Sequence, residues 1–218
     1  EAALGSTTTG AGNTAVGAEA LKANTTASNN TAIGKGCGDN ITTASFCTLV
    51  GMNIDTANAV DSNANGIGYG IVATGGYTTI GLTTSDIRAA HGNTTWATVS
   101  DKRVKKDITD AEAGLSFIND LRPRTFKYKT KGDLPEEFDA YEEGSTETYK
   151  NEFTNHGFIA QEVKEAVDNH PELKDGFKMW DIREDTGQQE VGEAAVIPVL
   201  VKAVQELSTQ VDELKQEL

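Results

Sequence analysis

Two periodicities organise this chain. From the N-terminus to Gly81, short apolar pairs followed by glycine return at a fixed interval. "TAVG" ends at Gly17, "TAIG" at Gly34, "TLVG" at Gly51 and "NGIG" at Gly68, a period of 17 residues. Between the glycines, "TTAS" at 25–28 recurs at 42–45, and Ser62 keeps the last position. A final "TTIG" arrives early, at Gly81. A unit this short cannot bury a face alone, so the units must stack on one another. Thr, Val and Ile with Gly and Asn as punctuation predict short strands and tight turns. At the other end, Ile197, Leu200, Val204, Leu207, Val211, Leu214 and Leu218 are separated alternately by 3 and 4 residues. That is a heptad seam and predicts a coiled-coil helix over 197–218; a helix packed on its own domain is the plainer alternative.

Each 17-residue unit offers only two or three apolar side chains, such as Ala15, Val16 and Leu21. A single coil of such rungs would have a thin core, whereas three chains wound about one axis would pool theirs. The expectation for the first part is therefore a trimeric β-prism or β-roll, with a monomeric β-solenoid as the alternative. The repeats are similar in style to the heads and shafts of trimeric adhesins and phage fibres.

Between the two periodic ends the text reads as a compact α+β domain. Thr109 with Glu112 forms a capping-box pattern, and Leu115, Ile118 and Leu121 make one helical face that Pro123 ends. "TFKYK" (125–129) alternates as a half-exposed strand does. Residues 130–152 are acidic, lack a period and read as a solvated loop. "HGFIA" (156–160) leads into a helix from Gln161 to about Asn169, stopped by Pro171. "FKMWDI" and "QQEV" flank Asp185-Thr186-Gly187 as a hairpin would.

Composition sharpens the boundary. Residues 1–99 hold 9 charged residues and 15 of the 22 glycines, whereas 100–218 hold 43 charged residues. This division gives a repeat shaft over 1–84, a linker over 85–99 and a second domain over 100–218. The net charge of -14 argues against a nucleic-acid partner. No apolar run approaches the length of a membrane span. Cys37 and Cys47 have no companions at metal-ligand spacing and read as free, partly buried thiols. No cofactor or metal is expected. The opening "EAALGSTTTG" starts in mid-pattern, as a piece of a longer chain would.

At the seam stands "VSDKRVKKDI" (99–108), a serine and an acid followed by four cations in five positions. A lysine near 10.4 is almost wholly protonated at pH 7 and accepts a proton poorly unless burial or like charges favour its neutral form. Lys102, Arg103 and Lys106 could supply such charge to Lys105. Residues five apart lie on different faces of a helix or strand. Ser100 and Lys105 can therefore meet only if the chain turns between them or if subunits share the site.

"SDKRVKKDI", "GLSFINDLRPRTFKYK", "HGFIAQEVKEAV" and "AAVIPVLVKAVQEL" follow in order, the last closing in the heptads. Together they resemble the C-terminal intramolecular chaperone of endosialidases and other phage tail spikes and fibres, a self-cleaving peptidase module. The resemblance implies a module that makes a homotrimer, brings the fibre chains into register and then cuts itself off between Val99 and Ser100. It implies Ser100 as nucleophile and Lys105 as base. Asp101, Arg103, His156, Gln161 and Glu162 are possible supporting residues; for His156 a structural role weighs more. It further implies assembly in the host cytoplasm, residence of the mature fibre in the virion without the released module, and a possible cell-surface receptor. The partners implied are two copies of the chain and the upstream part of the fibre. The alternative is a fibre tip, structural or receptor-binding, whose C-terminal part is a permanent trimer clamp.

Overall fold

The structure is a computed structural model that describes residues 2–173 and 176–217. It divides into two compact units, residues 1–107 and 108–218. Each is described by itself.

The first unit is a β-solenoid of about four turns. One sheet takes a strand from each coil: β1 (Thr14–Val16), β2 (Thr31–Ile33), β3 (Thr48–Met52), β5 (Asn65–Tyr69) and β7 (Tyr77–Leu82), all parallel. Short strands β4 (Asp55–Thr56) and β6 (Val72–Ala73) pair on another side. The register follows the repeat, with Thr14, Thr31, Thr48, Asn65 and Thr78 in one column. The last step is shorter, as the early "TTIG" requires. The segment expected to be a linker begins with a further strand, β8 (Ser85–Ala90), antiparallel to β7.

The 17-residue period is enforced by side chains that bond to their own counterparts in the next coil. The Thr8, Thr25 and Thr42 hydroxyls donate to the carbonyls of Thr25, Thr42 and Ala59. Ser28, Ser45 and Ser62 each accept, through Oγ, a backbone N–H from the coil before. Asn13 and Asn30 each accept from a backbone N–H and donate to a carbonyl, satisfying polar groups inside the coil. The recurring glycine is obligatory. Gly34 and Gly51 have φ near +130°, and a Cβ on either would overlap the carbonyl of the glycine in the next coil.

Contrary to the thin-core expectation, one chain encloses its own core. Leu21, Ile41, Leu49, Ile54 and Ile71 are fully buried with a set of alanines and both cysteines. Small residues allow this, because a narrow coil is filled by Ala and one or two Leu or Ile per turn. The thiols are free, and burial pushes Cys37 up to about 11. The same sheet also turns aliphatic side chains outward. Val16, Ile33, Val50, Ile67, Ile80 and Ile87 are direct cross-strand neighbours in an uncharged stripe, all but the half-buried Val50 exposed.

The second unit is α+β. Helix α1 (Leu115–Asp120), strands β9 (Arg124–Phe126) and β10 (Asn155–Gly157), helix α2 (Ala160–Asn169), the hairpin β11 (Trp180–Ile182) and β12 (Gln189–Val191), and helix α3 (Ile197–Gln216) follow in order. The proposed capping box does not start α1. Gly114 precedes it, and the Leu115 N–H donates to Glu206 of α3 at 2.8 Å. The deepest residue of α1 is Phe117, fully buried and edge-on to His170 and Phe177, and Ile118 and Leu121 of the expected face pack partly buried against the same core. Residues 130–152 are largely irregular, with one 3-10 turn and a bridge between Thr130 and Thr148.

Helix α3 packs on its own unit through Val199 and Ala203 and leaves Ile197, Leu200, Val204, Leu207, Val211 and Leu214 exposed. The seventh heptad position, Leu218, lies outside the described residues. No helix among the described residues is long and apolar enough to cross a membrane.

Candidate active site

The chain reaches the seam from the last strand of the solenoid. After β8 it turns and comes back beside it: Arg88 N–H donates to the Ala97 carbonyl at 2.9 Å, and Ala97 N–H to the Arg88 carbonyl at 2.8 Å. The Thr98 hydroxyl donates to the Asp86 carbonyl at 3.2 Å. Val99 follows, then Ser100.

Asp101 makes the turn that the five-residue spacing demands. It is extended, at φ -71° and ψ 135°, and its Oδ1 accepts the Arg103 N–H at 2.8 Å, capping a 3-10 turn over Lys102–Val104. The Lys105 N–H closes that turn on the Lys102 carbonyl. The Arg103 guanidinium clamps the same carboxylate through Nε and Nη2, the shortest contact being 2.6 Å. This pairing holds the Asp101 carboxyl below its ordinary range and the Arg103 guanidinium above its own. With the chain so folded, Lys105 Nζ lies 2.7 Å from Ser100 Oγ within one chain.

This is hydrogen-bond distance for a nucleophile and a base. A neutral amine would accept the hydroxyl proton along the same line. Both side chains are exposed. The surrounding cations are partly matched by acids, Arg103 by Asp101 and Lys106 by Asp107 at 4.0 Å. Val72, Val99 and Val104, all more than half exposed, line an open groove of about 700 Å³ with Thr83 and Thr98.

The other residues singled out from the sequence belong to the second unit. His156 sits on β10 opposite Thr125 and is exposed. Gln161, also exposed, opens α2. Glu162 receives a two-pronged hydrogen bond from Arg124 at 2.6 and 2.8 Å, which holds its carboxyl below the ordinary range. Sequence reasoning missed this Arg124–Glu162 pair, because nothing local links a strand residue to a helix residue 38 positions on. It also missed the pairing of Ala97 with Arg88, which no period announces. Among the described residues no group of His, Cys, Asp and Glu could hold a metal ion.

Residues 100–171 match the family model described as chaperone of endosialidase, Peptidase_S74, a family of the self-cleaving peptidase type. The match begins at Ser100 itself and takes in the first three of the four motifs quoted above. No curated protein and no solved structure matches the chain. Residues 100–171 thus carry an endosialidase-type chaperone module, joined to the end of a β-solenoid.

Proposed function

We propose that the chain is the end of a phage tail fibre or spike whose chaperone module drives homotrimeric folding and then leaves by cutting the Val99–Ser100 bond. The observation that carries the cutting is the 2.7 Å approach of Lys105 Nζ to Ser100 Oγ, at the first residue of the family match. Ser100 Oγ attacks the Val99 carbonyl carbon while Lys105 takes the hydroxyl proton. The bond from that carbon to the Ser100 nitrogen breaks, the nitrogen gains a proton, and an ester to Oγ remains. Water then cleaves the ester, leaving a carboxylate on Val99 and restoring the hydroxyl.

Trimer formation is supported by two uncovered apolar stripes. The shaft presents its aliphatic ladder, and α3 presents heptad positions that its own unit does not cover. Like stripes on three copies would pack parallel and in register, since each ladder repeats at the strand spacing of about 4.8 Å. Copies that cover the exposed Ser100–Lys105 pair would also exclude water, and burial favours the neutral amine. Cleavage then follows assembly.

The test is a time course on denaturing gels. Wild type should yield fragments of 99 and 119 residues, with rate falling as pH falls. Ser100→Ala and Lys105→Arg should assemble and stay whole, since arginine offers no neutral nitrogen at usable pH. His156→Ala should slow the cut at most. A wild-type chain that assembles and remains a single band would instead make the second unit a permanent clamp.

A further inference from the structure

We propose that the last shaft strand, β8, positions the bond that is cut, so that cleavage proceeds only on a shaft whose final strand has formed. This rests on the cleavage reading above. Strand β8 has two edges. One pairs along its whole length with β7, from Tyr77–Ala90 to Leu82–Ser85. The other receives the peptide that leads to the scissile bond, through the two main-chain hydrogen bonds between Arg88 and Ala97 and the Thr98 hydroxyl on the Asp86 carbonyl. These are the residues two and one positions before Val99. The segment is thus bridged, at one residue pair, to the free edge of the solenoid sheet.

Ser100 must reach the carbonyl of the residue before it, and the attack needs that carbonyl and the hydroxyl held together. On the far side of the bond, the Asp101–Arg103 clamp fixes the turn that delivers Lys105. On the near side, β8 alone supplies ties among the described hydrogen bonds. The Arg88 guanidinium lies over the Tyr77 ring, 5.1 Å from its centroid, which fixes the strand further against β7. Strand β8 cannot form this edge until β7 has joined the stack, so the anchor exists only when the C-terminal end of the shaft is complete. A chain with an unfinished shaft would carry the same serine and lysine but a loose carbonyl.

The experiment measures the cleavage rate of the full chain, with assembly followed in parallel by light scattering. Ala97→Pro deletes the N–H that Arg88 accepts and should slow the cut by at least about 100-fold. Thr98→Val removes only the hydroxyl and should slow it by about three- to tenfold, with Thr98→Ser restoring the rate. Because none of these changes touches the base, the midpoint of the pH–rate profile should stay at the wild-type value. If Ala97→Pro proves unable to assemble, the Thr98 pair decides alone. Wild-type rates in the Thr98→Val and assembled Ala97→Pro chains, with Ser100→Ala uncut, would overturn the positioning role and leave the cleavage reading standing. Cutting in Ser100→Ala would instead remove the cleavage reading itself.

Discussion

In the first unit each coil finds its partners in a copy of itself: Thr on Thr, Ser on Ser, glycine under glycine, with a core of alanines and single large aliphatics. In the second, the main contacts among the described residues join unlike pieces. Phe117 of α1 is wedged against His170 and Phe177, Glu206 of α3 caps α1, and Arg124 of β9 clamps Glu162 of α2. A stack of repeats distributes its stability evenly and resists a soft change at any one rung. A small mosaic concentrates it in a few side chains. The two regions should therefore fail in different ways.

The largest effect is expected where repetition leaves no room. Gly51→Val places a branched side chain at φ +136°, where even a Cβ meets the Gly68 carbonyl. It should cost the shaft more than about 4 kcal/mol, seen as loss of its thermal transition, while the second unit keeps its own. Shaft melting within a degree or two of wild type would mean the coils can part locally. Phe117→Ala is the mirror test. A fully buried aromatic core residue should cost the second unit about 3–5 kcal/mol, with the shaft unmoved by denaturant titration.

Each region holds one group whose contribution to stability is lost as pH rises. His170 is buried, which pushes its imidazole down, but hydrogen bonds to Asp120 at 2.9 Å and Glu172 at 3.0 Å outweigh this and raise it. Both ring nitrogens face carboxylates, so the charged ring is the form that satisfies them. Its folded value lies above its unfolded one. Its contribution is fully present below about pH 6.5 and is lost as pH climbs through the folded value. In the shaft, burial pushes the Asp55 carboxyl up to about 6, against the bond it accepts from the Asn40 N–H and with the help of the Asp39 charge. It binds its proton more tightly folded than unfolded. The shaft should gain stability as pH falls from about 7 to about 4, and Asp55→Asn should flatten that slope. His170→Gln should flatten the corresponding slope in the second unit.

The smallest effect is expected at the Arg124–Glu162 pair. Arg124 is nearly half exposed, so Glu162→Gln should leave the thermal midpoint of the second unit within a few degrees of wild type. A midpoint lowered as far as by Phe117→Ala would show that the mosaic depends on its ion pairs as much as on its aromatic core.

The 17-residue repeat by itself determined a stacked β architecture, the register of its strands and the place of its glycines, because each column bonds only to its own kind. The helix at 197–216 and the hairpin over 180–191 were legible too, through spacing and turn residues, whereas Ser100 and Lys105 were singled out only by family resemblance and their contact came from the turn at Asp101. What the repeat could not tell was that one chain closes its own core. That depends on how far alanines let a coil narrow, and the result leaves the larger aliphatics free to point outward. Nor could the sequence choose between the partners of Asp101, because an acid two residues from an arginine and four from a lysine can serve either. The Glu206 cap on α1 and the Ala97–Arg88 pairing are invisible to any local pattern. They arise from segments far apart in sequence, or turned back on themselves, being brought together by packing, and only the tertiary structure decides where such segments meet.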